Sequence, residues 1–292
     1  MIRAASSPPG VTLVLGAGGA RGVAHAAVLR RLRREGVPID AIVGCSVGAI
    51  VAAMYAAVGM DPDEMLLAAR RLTAGSLLAF AVSRWKVPGL SEAAGRRAGA
   101  IPEYLERLEE ASFARLHHNV RRLGVLTFDI VRREEVFLLG GPGLPVPLPL
   151  ASAVKASAAI PVLFPPLRAE MGGRRRYLAD AGWFTAVPVE WAFAPPLRSR
   201  RVIAVDLSLI VCPRQARRSY WQGLQQACGD RLLVLRPDVR GCGTIFARRG
   251  DPARLAEAGE AAVEGSLGPL RAWRLAEAAS PAGFLDSPGG NC

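Results

Sequence analysis

The chain has 292 residues, 51% hydrophobic and 21% charged, which is enough apolar material for one large α/β core and too apolar for a disordered body. A formal net charge of +12, carried mostly by arginine, favours anionic surfaces, but the clusters at 30–34, 132–133, 174–176, 198–201 and 214–218 lack interleaved aromatics or a zinc-finger spacing. Nucleic-acid binding is therefore not expected, and five cysteines without a CxxC pair suggest neither a zinc site nor a disulfide framework.

Residues 1–10 hold no apolar run of signal-peptide length, so they read as a flexible tail and the expected location is cytoplasmic. Val11 to Leu15 is a continuous apolar strand ending in GAGGARG, and helical periodicity follows through His25, Val28, Leu29 and Leu32 to a stop at Gly36. Ile39 to Cys45 repeats the pattern: a strand, the turn Gly44-Cys45-Ser46-Val47-Gly48, then an Ala-rich helix to about Val58. The apolar stretch Ala41 to Met60 thus reads as strand plus buried helix, because Gly44, Ser46 and Gly48 interrupt it. Two strand-turn-helix units predict a doubly wound, mostly parallel sheet flanked by helices.

Residues 61–122 are predicted to be a helical insertion, starting at Asp61-Pro62 with breaks at Pro88-Gly89 and Ile101-Pro102. Strands are expected at Leu123 to Val131 and Glu135 to Leu139, a Pro/Gly loop at 140–150, and a short helix at Ala151 to Ala159. Tyr177 to Gly182 reads as a strand entering a turn, Arg201 to Leu207 and Leu232 to Leu235 as strands, and Ala253 to Ala278 as a final helix before a flexible tail at 280–292. One domain over 11–279 accommodates all of these.

The chemistry concentrates at the turns. G-x-S-x-G between an apolar strand and a helix is the context in which a serine hydroxyl projects from a strained elbow, with Gly44 and Gly48 removing side chains that would clash. The N–H groups of Gly18 and Gly19, at a helix N-terminus, suit an oxyanion hole. Neither frame of GAGGARG fits a dinucleotide fingerprint, since Arg21 or Ala17 falls where glycine is needed. No histidine follows residue 118, so the Ser-acid-His order is unavailable; His25 is expected to pack near the turn, and His117 and His118 to be solvated. A buried carboxylate can replace histidine as the base, and Asp180 and Asp206 are both candidates.

LGAGGARG with His25, GCSVGAI, Lys155 to Pro161 with Phe164-Pro165-Pro166, and Asp180-Ala181-Gly182 followed by Val187-Pro188-Val189 resemble, in order, the bacterial patatin-like phospholipases. The resemblance runs from Val11 to Val189. It implies a patatin-like fold with Ser46 as nucleophile, Asp180 as proton acceptor, and Gly18, Gly19, Arg21 and Gly22 as the oxyanion turn. Arg21 would steady that turn or meet a phosphate, and Gly182 completes the acid turn. Three departures stand out: Ala17 and Ala181 where glycine is usual, and Thr185-Ala186 where asparagines are common. Alanine at a positive φ would cost of order 1 kcal/mol or more. The implied partner is a lipid ester, with peripheral contact to an anionic inner membrane surface and no metal or cofactor. The competing function is a catalytically weak or inactive regulator or membrane adaptor of the same fold.

Overall fold

A computed structural model describes residues 10–71, 103–208, 214–243 and 251–278. The two tails, half of the insertion (72–102) and the breaks expected at Pro88-Gly89 and Ile101-Pro102 lie outside them. Strand β1 (Val11–Leu15) is followed by a 3-10 turn (Gly19–Gly22) and helix α1 (Val23–Arg34), and β2 (Ile39–Cys45) by α2 (Val47–Ala53) and a π-turn (Met54–Val58). Then come α3 (Pro62–Arg71), α4 (Glu103–Glu110), β3 (Arg122–Asp129), β4 (Glu134–Gly140) and α5 (Leu150–Ser157). The remainder is β5 (Leu167–Met171), β6 (Arg174–Ala179), α6 (Val189–Phe193), β7 (Arg201–Val205), α7 (Arg214–Cys228), β8 (Leu232–Leu235), α8 (Asp251–Glu264) and α9 (Leu267–Ala278).

The strands form one mixed sheet of order β5-β6-β3-β2-β1-β7-β8, with β4 also paired to β3. The run β3-β2-β1-β7-β8 is parallel, and β4, β5 and β6 pair antiparallel. Continuous apolar strands are what a sheet covered on both faces requires. Leu13, Leu15 and Ile42 enter one core with residues of α1, α2, α5 and α8, whereas Val14, Ala41 and Val43 enter a second with residues of α6 and α7. A doubly wound architecture, with helices on both faces of the sheet, follows from that alternation.

Helix α1 lies between α3 and α8, and its arginines meet acids from both: Arg30 with Asp63 (2.9 Å) and Glu260 (2.8 Å), Arg31 with Glu264 (2.8 Å), Arg33 with Asp61. The 30–34 cluster is therefore an ion-paired packing face.

Several expectations are corrected. The insertion is helical in α3 and α4, but residues 111–121 form turns, because His118 (φ 53°) and Asn119 (φ 62°) adopt left-handed backbone that no helix continues through. His117 and His118 are half-buried rather than solvated, His118 stacking on Tyr55 at 4.3 Å. The last helix is two, α8 and α9, separated at Gly265-Ser266. Strand β5 and helix α7 occur where the sequence pattern gave no element.

Candidate active site

Strand β3 has two edges, and their use builds the site. Antiparallel β4 pairs along one edge from Leu123 to Asp129. On the other, β2 pairs only as far as Leu126, and β6 takes over at Phe128 and Asp129. Where β2 ends at Cys45 and β6 ends at Ala179, the next residues are Ser46 and Asp180.

Ser46 is buried and sits at φ 57°, ψ −127°, a conformation that costs a non-glycine residue of order 1–3 kcal/mol. Close approach around it holds the elbow in that state. A Cβ on Gly48 would lie 2.1 Å from the Leu15 carbonyl oxygen, and one on Gly44 2.5 Å from the Ala49 Cα, so α2 presses directly onto β1 and β2. The Ser46 N–H donates to the Ser157 hydroxyl (2.9 Å), which donates to the Leu126 carbonyl (2.6 Å). Ser157 thereby ties the elbow to β3.

The Asp180 carboxylate is also buried and accepts a hydrogen bond from the Gly182 N–H at 2.7 Å, with the Ser46 hydroxyl close enough to favour its charged form. Burial pushes its pKa up from 3.8 to about 6, against the lowering effect of the Ser46 hydroxyl and the Gly182 N–H. Its own N–H donates to the Ala159 carbonyl (3.0 Å), so the segment after α5 fixes the acid turn.

The glycine turn follows β1 directly, and Leu15 pairs with Gly44, so the turn runs beside the elbow. Gly18 is extended (φ −176°) and Gly19 is left-handed (φ 57°); among the described residues, no hydrogen bond uses either N–H. The buried His25 donates from Nε2 to the Gly16 carbonyl (2.8 Å), which fixes the tautomer and leaves Nδ1 without a partner. Burial pulls its pKa down to about 4, so the ring is neutral and committed to the turn. Gly22 lets this turn approach α2, since a Cβ there would lie 2.2 Å from Val47 Cγ2. Arg21 is buried with its guanidinium 3.3 Å from the Cys242 carbonyl, a placement that steadies the turn against the C-terminal half.

The departures from the family pattern are accommodated. Neither Ala17 nor Ala181 has a positive φ. The Ala17 N–H donates to the Ala186 carbonyl (2.7 Å), and the Thr185 hydroxyl donates to Glu135, which also accepts from Trp191 Nε1 (2.6 Å). The rival acid, Asp206, is occupied by Trp221 Nε1 (2.9 Å) and the Ser208 N–H (2.9 Å), so it serves as a brace between β7 and α7. Ser157 and Glu135 escaped sequence reasoning as support for the site; Ser157 lies in the Lys155 to Pro161 segment, which was the signal available.

A hydroxyl on a strained elbow, near a buried carboxylate of raised pKa and beside a turn of available N–H groups, is equipped for acyl transfer. Comparison with known proteins bears on the same region. The patatin-like phospholipase family model matches residues 13–193. An uncharacterised NTE family protein of Mycobacterium tuberculosis is 30% identical over 203 residues, 69% of this chain and 31% of that protein. A second from the same organism is 34% identical over 184 residues, 63% of this chain and 46% of that protein. The chain thus spans less than half the length of either relative. Among solved structures it is similar to VipD from Legionella pneumophila, with a TM-score of 0.54 at 15% identity over 91% of this chain and 68% of that one.

Proposed function

The chain belongs to the patatin-like phospholipase family, and from that premise we propose that it is a serine acyl-hydrolase cleaving lipid acyl esters with Ser46 and Asp180 as its dyad. Asp180 takes the Ser46 proton as Oγ attacks the ester carbonyl, and the N–H groups of Gly18 and Gly19 hold the oxyanion. Collapse expels the alcohol, which leaves with the proton from Asp180. Asp180 then deprotonates a water that attacks the acyl-Ser46 ester, releasing the fatty acid and restoring the serine. Every step uses groups of this chain.

The observation that carries this reading is the meeting of the strained Ser46 elbow with a buried Asp180 at the adjoining strand ends of β2 and β6, the acid's pKa, near 6, suiting a general base at neutral pH. The nearby histidine, His25, is held on Gly16 and is not needed. The test is hydrolysis of a short-chain chromogenic ester and a fluorescent phospholipid by wild type, Ser46→Ala and Asp180→Asn, with an organophosphonate label located by mass spectrometry. Labelling at Ser46, with turnover lost in both variants, is the expected result. A folded wild type with neither label nor turnover would instead support a non-catalytic regulator.

A further inference from the structure

Six of the nine large hydrophobic side chains exposed among the described residues fall in three adjacent pairs: Ile130 and Val131, Val162 and Leu163, Trp183 and Phe184. Two pairs follow the strands β3 and β6 where these meet, and the third follows the segment after α5 that is bonded to the acid turn. Ile130 and Val131 continue β3 beyond Phe128, which pairs with Ala179. Trp183 and Phe184 follow Asp180, and Phe184 stacks on Phe128 at 4.1 Å. Val162 and Leu163 follow Ala159, whose carbonyl receives the Asp180 N–H. The exposed apolar surface therefore gathers around the dyad.

Val162 is the most telling member. Its side chain is fully exposed, and its backbone is left-handed at φ 74°, a conformation that a β-branched residue resists. The Leu163 and Phe164 N–H groups, both bonded to the Ile160 carbonyl, hold that turn. A chain that needed only a turn here would be better served by asparagine or glycine, so the isopropyl group is unfavourable in both backbone and solvation terms. Further along the β3–β6 pairing, past the Ile130 N–H bond to the Tyr177 carbonyl, Arg133, Arg174 and Arg175 are exposed and make no ion pair among the described residues. An apolar crest with a basic flank is complementary to one kind of partner, a bilayer bearing anionic headgroups.

We propose that Val162-Leu163 and Trp183-Phe184 form a membrane-inserting rim that seats the opening of the dyad on anionic lipid, with Ile130-Val131 and Arg133, Arg174 and Arg175 at its margin. The inference rests on the lipid acyl-ester reading above and names the surface through which that substrate is reached. Trp183 enters the headgroup boundary, and the two aliphatic residues enter beside it.

The experiment measures association of Ser46→Ala protein with phosphatidylcholine vesicles containing phosphatidylglycerol, which reads docking independently of catalysis. Val162→Asn with Leu163→Gln should weaken association by roughly tenfold. In the wild-type background the same pair should slow vesicle hydrolysis while leaving turnover of the soluble short-chain ester unchanged. Val162→Asn alone should preserve or raise the melting temperature, because asparagine accepts the left-handed turn. Trp183 fluorescence should shift to the blue on vesicles and be quenched by brominated lipid, a signal absent in Trp183→Phe. Unchanged association in the double variant, or no vesicle association by the parent protein, overturns the rim. Absence of soluble-ester turnover in wild type would overturn the dyad instead and leave the docking result readable.

Discussion

At Asp180 the demands of folding and of chemistry oppose each other. A pKa raised by burial from 3.8 to about 6 means that the folded protein holds the proton more tightly than the unfolded chain. The stability this contributes is full below 3.8 and is lost as pH rises through about 6. At neutral pH the ionised carboxylate is thus a liability of roughly 3 kcal/mol. Asp180→Asn, which keeps an oxygen for the Gly182 N–H, should be more stable than wild type at pH 8 by up to about that amount, and the gap should close by pH 4. Denaturant titrations at the two pH values measure it. The proposed base must be ionised, so the soluble-ester rate should rise with pH through about 6; a rate independent of pH across that range would count against Asp180 as the base.

Ser157 makes a complementary prediction. Its hydroxyl satisfies both the Ser46 N–H and the Leu126 carbonyl, so Ser157→Ala leaves two buried groups unpaired, at about 1–3 kcal/mol each. We expect a lower melting temperature together with a fall in kcat for the soluble ester and little change in KM, since the elbow loosens while the binding surface stays. Ser46 was legible in the sequence because a local spacing announces it. Asp180 could only be ranked beside Asp206 until the ordered motifs were compared, because what separates them is the partners each carboxylate finds. Ser157 acts on a residue 111 positions away, which no local pattern reports.

At the level of elements, the elbow depends on how closely α2 lies on the strand beside it. Gly48→Ala places a methyl group 2.1 Å from the Leu15 carbonyl oxygen, where backbone must move. A loss of about 3 kcal/mol is expected, with elbow geometry and activity lost together, readable by thermal unfolding and phosphonate labelling. The two amino-terminal strand-turn-helix units were legible because apolar strand, glycine turn and periodic helix follow in immediate succession. Strand β5 was not, since only Ala169 is buried among exposed Arg168 and Glu170, and prolines precede it. Helix α7 was hidden by its arginines and glutamines, which resemble a solvated loop, although Trp221 anchors it to Asp206. The left-handed His118 and Asn119 were equally invisible, and with them the end of helical structure before β3.

Across the whole molecule, a net charge of +12 is not spread evenly as available charge. The arginines of α1 are engaged with α3 and α8, whereas Arg133, Arg174 and Arg175 are exposed and make no ion pair among the described residues. Association with anionic vesicles should weaken as salt rises. Glutamine at the latter three positions should flatten that dependence, while Arg34→Gln should leave it nearly unchanged. Equal effects from the two sets would mean that net charge alone guides the protein to the surface. The sequence supplied the total charge and the clusters; the partners that neutralise one cluster and spare another come from helices distant in the chain.

The edge of β3 that β2 and β6 share has a consequence for how the protein refolds. Each strand occupies only part of that edge, so the serine and its acid meet only after a parallel and an antiparallel pairing have both been made. Pairings of such large sequence separation close slowly. Reactivity of Ser46 toward a phosphonate should therefore return after most helical circular dichroism has recovered, making the proposed nucleophile a reporter of the last stage of assembly.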